Sequence, residues 1–408
     1  MTQAFFQYME TAPDGPLGVA VSGGGDSLAL LVLMAEWAKP SGRSLSAVTV
    51  DHGLRKDSAA EAQMVAQLCA GLGVPHTTLE WRDHPERGNL QDNARQARQR
   101  LIAQWALERG IAAVATGHTK EDQAETLLLR LKRGSGVDGL SGILPQRRKE
   151  GVLWLRPTLE MRRETLRDVL RVRQIPWAED PSNDDVRFDR VKMRKALVKL
   201  DEIGLTVDVL ADTATRLQPA RAALEQVSET ALRRIASPRD IGSVRLDINA
   251  LACEPEEIRL RILAHSLRWV SAAPYRPRLN GLKRALAACL GGRSHSLSGC
   301  LLTPLGNGVC EITREVAAMQ ECDGSDGFFD GRFACDTGVG SWRPLGKVGI
   351  LQRPEWRETA ESRNAILASP SLWYNNELKS APFVDKNPDC KCWLRDGPES
   401  FYATIVTH

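Results

Sequence analysis

Through the first 200 residues, short apolar runs alternate with helical patterns. The runs are VAV at 19, SAVTVD at 46, HTTLEW at 76, IAAVATGH at 111 and VLWLRP at 152, with helix-forming stretches near 27–37, 58–71, 90–108, 120–132 and 160–173. A chain that changes character so regularly can cover its strands only in a mostly parallel sheet with helices on both faces, an α/β fold. Ligands of such sheets sit at the carboxyl ends of the strands. Polar residues collect at those ends: Ser22 after the first run, Asp51 and His52 after the second, Gly117 and His118 after a later one.

The end of the first run narrows the ligand. Val19 to Val21 lead into Ser22-Gly23-Gly24-Gly25-Asp26-Ser27 and then Leu28 to Leu31, which predicts a buried strand, a tight glycine bend and a helix start. Such a bend points backbone N–H groups and the positive end of a helix dipole at one spot, so the expected guest is an anion, most often a phosphate. The string is neither a Walker A loop nor a dinucleotide fingerprint. A plain tight turn, with Asp26 and Ser27 as helix caps, is the competing reading of the hexapeptide.

Beyond this region the character shifts. From about 204 longer helical patterns replace the alternation, and from about 323 the chain is rich in Gly, Pro and Trp with short apolar runs. Three segments are expected: an α/β domain over 1–203, a helical domain over 204–322 and a small C-terminal domain over 323–408. The 42% apolar and 26% charged content excludes a disordered or fibrous chain. No apolar run reaches membrane-spanning length and the N-terminus lacks a basic region before an apolar stretch, so a cytoplasmic protein with no membrane partner is expected. The nine cysteines are scattered without a CxxC pair, which argues for reduced thiols rather than a zinc or disulfide framework. A net charge of +3 proves no nucleic-acid partner, but basic residues cluster at 95–100, 130–133, 162–173 and 187–199, patches able to meet a phosphate backbone.

The hexapeptide Ser22 to Ser27 resembles the SGGxDS signature of the PP-loop ATP pyrophosphatases, which cleave ATP between the α and β phosphates. Three further stretches are similar to the tRNA(Ile)-lysidine synthases within that superfamily. They are Val50 to Arg55 (VDHGLR), Ala115 to Thr126 continuing into Arg133-Gly134-Ser135-Gly136, and Glu179 to Asn183 (EDPSN) followed by Phe188, Arg190 and Arg194. One position departs: Val191 stands where that family usually has Asn. The resemblance implies ATP and Mg2+ as cofactors, and free L-lysine and a tRNA(Ile) with a CAU anticodon as partners. The implied reaction adenylates the C2 oxygen of the wobble cytidine, and the lysine ε-amine then displaces AMP to give lysidine. It also implies tRNA contacts for the helical domain, with Arg278, Lys283 and Arg284 as candidates.

Carried over residue by residue, Ser22, Gly23, Gly24, Gly25, Asp26 and Ser27 would hold the phosphates and Asp26 the metal, while Asp51, Gly117 and His118 would meet the nucleotide. Asp122 and Glu125 are three apart on an expected helix and share a face. They are catalytic candidates with Asp26, facing nucleotide, metal or the lysine amine, although carboxylates in a first helical turn also simply complement the dipole. Arg95 and Arg98, Arg133, Asp180 and Asn183, and Arg190 and Arg194 are candidates for gripping the anticodon loop, whose bases must be splayed out before one is modified. A solvated basic face is the alternative for any single arginine. The rival activities are tRNA thiolation or another PP-loop amidation. Thiolation generally needs catalytic cysteines, and Cys69, the sole cysteine of the first 200 residues, lies on an apolar helical stripe and is expected to be core. The sequence sets no oligomeric state; a homodimer is one arrangement open to it.

Overall fold

The computed structural model describes residues 2–53, 58–81, 90–178, 187 and 189–405. Leu54 and Arg55, the Glu179 to Asn183 stretch with its candidates Asp180 and Asn183, and Phe188 lie outside the described residues.

The alternation folds as the α/β rule requires. In order come α1 (Gln3–Met9), β1 (Leu17–Ala20), α2 (Gly25–Ser41), β2 (Leu45–Asp51), α3 (Ser58–Leu72), β3 (His76–Glu80), α4 (Leu90–Glu108), β4 (Ala113–Thr116) and α5 (Lys120–Lys132). They are followed by α6 (Val137–Leu140), β5 (Gln146–Lys149), β6 (Val152–Leu155), α7 (Arg163–Val172), α8 (Asp189–Asp201) and α9 (Val207–Ile235). The sheet order is β3-β2-β1-β4-β6-β5, with every pairing parallel except β5 with β6. The order reverses direction between β1 and β4, and a crevice opens at such a switch point beyond the strands' carboxyl ends.

Helices cover both faces. On one, α2 buries an unbroken run from Ser27 to Met34, as an almost wholly apolar helix must, and Val65, Cys69, Leu166 and Leu170 close the same core. On the other, Ile102, Trp105 and Ala106 of α4 pack on Val48, Val114 and Trp154. Cys69 is fully buried and burial pushes its thiol up to about 11, so it is a packing residue with almost no thiolate at neutral pH. Val191 is buried as well.

Two departures from the sequence expectation have local causes. Strand β5, spelled QRRK, has no apolar alternation because it is an edge strand, where charge is favoured; it turns into β6 through Glu150 and Gly151, both at positive φ. The stretch expected to be a helical domain also carries a five-stranded antiparallel sheet, made of β7 (Ala236–Pro238), β8 (Val244–Asp247), β9 (His295–Leu297), β10 (Cys300–Gly306) and β11 (Val309–Arg314) in the order β7-β8-β11-β10-β9. Its signal was the Asn307-Gly308 pair joining β10 to β11, with φ of 50° and 74°, the conformation a two-residue hairpin turn demands.

The chain divides into two compact units, 1–222 and 223–408, with the break within α9. The second unit packs its five-stranded sheet against α10 (Glu256–Ser271) and α11 (Leu279–Leu290), and adds a four-stranded and a three-stranded sheet. Within it Lys283, one of the candidate tRNA contacts, pairs with Glu256 at 3.0 Å. No helix among the described residues is long and apolar enough to cross a membrane.

Candidate active site

The glycine bend forms because each residue meets a distinct local demand. Gly23 adopts φ +84°, which a side chain would strain, and Gly24 is the N-cap of α2. Ser27, buried at the first turn, donates its hydroxyl to the Gly24 carbonyl at 2.9 Å and accepts the Ser22 amide at 3.1 Å; the two serine hydroxyls meet at 3.2 Å. Ser27 thereby braces the bend, and the first amides of α2, which no intrahelical carbonyl can reach, are presented over it. The segment leading to Ala178 closes the rim, where the Ala178 amide donates to the Gly23 carbonyl at 3.1 Å.

Across the switch point, the β4 end is drawn tightly against this bend. A side chain on Gly117 would place its Cβ 2.9 Å from the Asp26 carbonyl oxygen. His118 follows, its Nδ1 3.0 Å from the Thr116 hydroxyl. Burial drives its imidazole well below the ordinary value, against the pull of Asp122 and with Arg156, Arg190 and Arg95 adding to the effect. It is a neutral ring at physiological pH.

Helix α5 then begins with a reciprocal cap between Thr119 and Asp122. The Thr119 amide donates to Asp122 Oδ2 at 2.9 Å, so the dipole-complementing role of this carboxylate is real. Its other oxygen is turned elsewhere: Oδ1 lies 3.8 Å from Arg163 Nη2 and 3.9 Å from Arg190 Nη1. Burial alone would raise the Asp122 carboxyl, but His118, Arg163, Arg190 and the Thr119 amide hold it below the usual range. One turn on, Glu125 is fully buried; its Oε1 accepts from Arg194 Nε at 2.6 Å, and its Oε2 has no hydrogen-bond partner among the described residues. Burial raises the Glu125 carboxyl, opposed by Arg194 and reinforced by Asp122. Asp26 completes the group: its Oδ2 accepts from Arg163 Nε at 3.0 Å, and burial raises its carboxyl despite that arginine.

The structure therefore brings Asp26, Asp122, Glu125, His118, Gly117, Arg190 and Arg194 to one cleft. Arg190 and Arg194, one helical turn apart on α8, both reach back to acids of α5. Asp51 ends β2, where its Oδ1 accepts from the Gly53 amide at 2.8 Å. Arg133 sits at the opposite end of α5, roughly 16 Å from Asp122 at 1.5 Å per residue, and its charge bears on Arg130 and Asp189.

Sequence reasoning missed Arg163, and it missed Arg147 and Arg156, which crowd the candidate Arg95. Burial pushes Arg156 down to about 10, with Arg147 and Arg95 adding to the effect. Arg147 is likewise lowered by burial and by Arg221, Arg130 and Arg95. Arg98, an exposed residue, is lowered by desolvation and by its crowding with Arg95 and Arg190. The sequence signal for Arg163 was its position, a cation opening a helix whose dipole disfavours it.

The carboxylate oxygens are hard donors of the kind Mg2+ takes. Among the described residues no group of three or more His, Cys, Asp or Glu could hold a metal ion by itself. The site thus fits an ion held by one or two carboxylates together with phosphate oxygens, the usual way proteins hold Mg2+.

Residues 1–201 match the family model of the PP-loop domain, and the α/β sheet with its Ser22 to Ser27 bend accordingly defines an ATP-binding protein of the PP-loop class. Over 400 residues the chain is 42% identical to a tRNA(Ile)-lysidine synthase of Ruegeria pomeroyi, covering 97% of this chain and 95% of that one. Its counterpart in Methylobacterium nodulans is 40% identical over 74% of this chain and 91% of its own length. That of Wolbachia pipientis wMel is 34% identical over 78% and 76%. The chain belongs to the tRNA(Ile)-lysidine synthase family of PP-loop ligases.

Proposed function

We propose that this enzyme uses ATP to adenylate the C2 oxygen of the wobble cytidine in the CAU anticodon of tRNA(Ile), and that free L-lysine then displaces AMP through its ε-amine. The products are lysidine in the tRNA, AMP and pyrophosphate. The observation that carries this reading is the convergence of the Ser22 to Ser27 bend with the carboxylates of Asp26, Asp122 and Glu125 at one switch-point cleft.

The division of labour follows from the donor types. The bend amides and the Ser22 hydroxyl face the charge that develops on departing pyrophosphate, where preorganised donors lower the barrier most. Asp26 would hold Mg2+, which supplies neutralisation of phosphate charge. Neutral His118 and Gly117 border the nucleotide, with Asp51 at the neighbouring strand end. The acid pair Asp122 and Glu125 suits a cationic amine, and Oε2 of Glu125, without a partner among the described residues, is an acceptor already desolvated for it. Arg95, Arg98, Arg190 and Arg194, with Asp180, Asn183 and the outlying Arg133, form the reading's tRNA contacts. The mutual crowding of Arg95, Arg98, Arg130, Arg147, Arg156 and Arg221 suits a polyanion, which relieves like-charge repulsion on binding.

Incubation of the protein with ATP, Mg2+, radiolabelled lysine and tRNA(Ile) transcripts tests all parts together. Label is expected in the CAU transcript and absent from a GAU control. AMP and pyrophosphate formed with another acceptor, without label in tRNA, would overturn the lysine and cytidine assignments while leaving the ATP site standing.

A further inference from the structure

Arg163 has no part in the reading above, yet it is the side chain that touches Asp26. It opens α7, where the helix dipole disfavours a cation. What offsets this is a set of acids on other elements: Nε donates to Asp26 Oδ2 at 3.0 Å and Nη2 lies 3.8 Å from Asp122 Oδ1. Three carboxylates, of Asp26, Asp122 and Glu125, thus face three guanidiniums, of Arg163, Arg190 and Arg194. Formal charge within the group is balanced.

We infer that Arg163 is an exchangeable counter-ion of Asp26, which a divalent cation must displace and which then passes to phosphate oxygens of the nucleotide. The inference rests on the assignment of Asp26 to the metal. Two observations separate this role from that of a structural strut. First, the contact is one end-on hydrogen bond plus a longer approach. The same helix is pinned at its other end by a fork-to-fork pair, Arg173 donating to both oxygens of Glu36 at 2.7 and 2.9 Å. Second, the start of α7 is held without the Arg163 side chain, because Glu121 accepts both the Arg163 amide at 2.8 Å and Arg162 Nε at 2.9 Å. Freeing the guanidinium from Asp26 does not unmoor the helix.

The chemistry of the exchange is favourable only when both ligands arrive. A metal ion alone must evict a cation that then has no new anion to meet. With a nucleotide present, the guanidinium finds phosphate oxygens that match its planar fork. Metal and nucleotide binding are therefore coupled through Arg163, and by linkage each tightens the other by the same factor.

The test is a Mn2+ titration of the full chain without nucleotide, followed by the electron spin resonance of free Mn2+. Arg163→Gln is expected to tighten Mn2+ binding tenfold or more, because the competing cation is gone. Arg163→Lys, which keeps the charge, should restore the weak binding of the wild type. Adding Asp26→Asn to Arg163→Gln should abolish the gain. A strut would behave otherwise: if Arg163→Gln bound Mn2+ no more tightly than wild type while remaining folded by circular dichroism, the inference is wrong. Should that variant fail to fold, the wild type compared with Arg163→Lys decides the matter. A saturating non-hydrolysable ATP analogue must tighten its Mn2+ binding more than it does in Arg163→Lys, and equal factors would overturn the inference. Pyrophosphate release by the wild type with tRNA and lysine is scored separately, so its absence would strike the proposed reaction and leave the metal titration readable.

Discussion

Glu125 in the first unit and Glu311 in the second are both fully buried, and each meets an arginine, yet their surroundings differ in one atom. Glu311 is complete: Oε1 accepts from the Ser243 hydroxyl and Arg245 Nε, both at 3.0 Å, and Oε2 accepts from the Ser362 hydroxyl. Glu125 is not, since Oε1 has Arg194 and Oε2 has nothing among the described residues. Leaving a buried acceptor unsatisfied costs about 1–3 kcal/mol, and more for a charged group. Folds rarely keep such an atom without a use for it. The contrast separates a carboxylate that builds from one that, on the proposed function, takes its second partner from the lysine amine.

Removing the complete partner should have the largest effect. Glu311→Ala leaves Arg245 and two hydroxyls without their shared acceptor, and is expected to destabilise the second unit by about 3–5 kcal/mol, read by urea unfolding, with pyrophosphate release per folded molecule unchanged. Next comes Glu125→Gln, which keeps an oxygen for Arg194 and removes the charge. Lysine incorporation into the tRNA should fall about 100-fold, worth about 2.7 kcal/mol, while the melting temperature does not fall. Equal losses of stability in both variants would erase the distinction between the two glutamates.

The smallest effect sharpens the same point at Asp26. Burial raises its carboxyl in the folded state, so the native protein holds this proton more firmly than the unfolded chain does. The associated stability is fully present below the unfolded value of about 3.9 and is lost as pH rises through the higher folded value. Asp26→Asn cannot ionise, so it should melt above wild type at pH 7. The advantage should vanish near pH 3. An unchanged difference across that range would show that burial of the Asp26 charge carries no cost.

Much of this was legible before any coordinates, because it rests on short-range patterns. Helices over 90–108 and 120–132 and the strand ends with Ser22 and Gly117 follow from periodicity and from where α/β sheets hold ligands, whereas Asp122 and Glu125 came from the family resemblance together with a shared helix face. What was not legible depends on partners distant in the chain. Asp26 and Arg163 are 137 positions apart, and no spacing rule connects them. Arg133 stands at the far end of α5 from Asp122, a separation that adjacency in the motif did not show. The β10–β11 hairpin was signalled by Asn307-Gly308 but masked by the helical patterns on either side.

The close approach of Gly117 to the Asp26 backbone has an engineering consequence. The hexapeptide Ser22 to Ser27 is not a portable cassette, because its aim depends on a second strand end pressed against it. Grafted alone into another parallel sheet, it would reproduce the bend while leaving the carboxylate free to point elsewhere. The smallest transferable piece is a pair of neighbouring strand termini, and a library that varies one must vary the other in step.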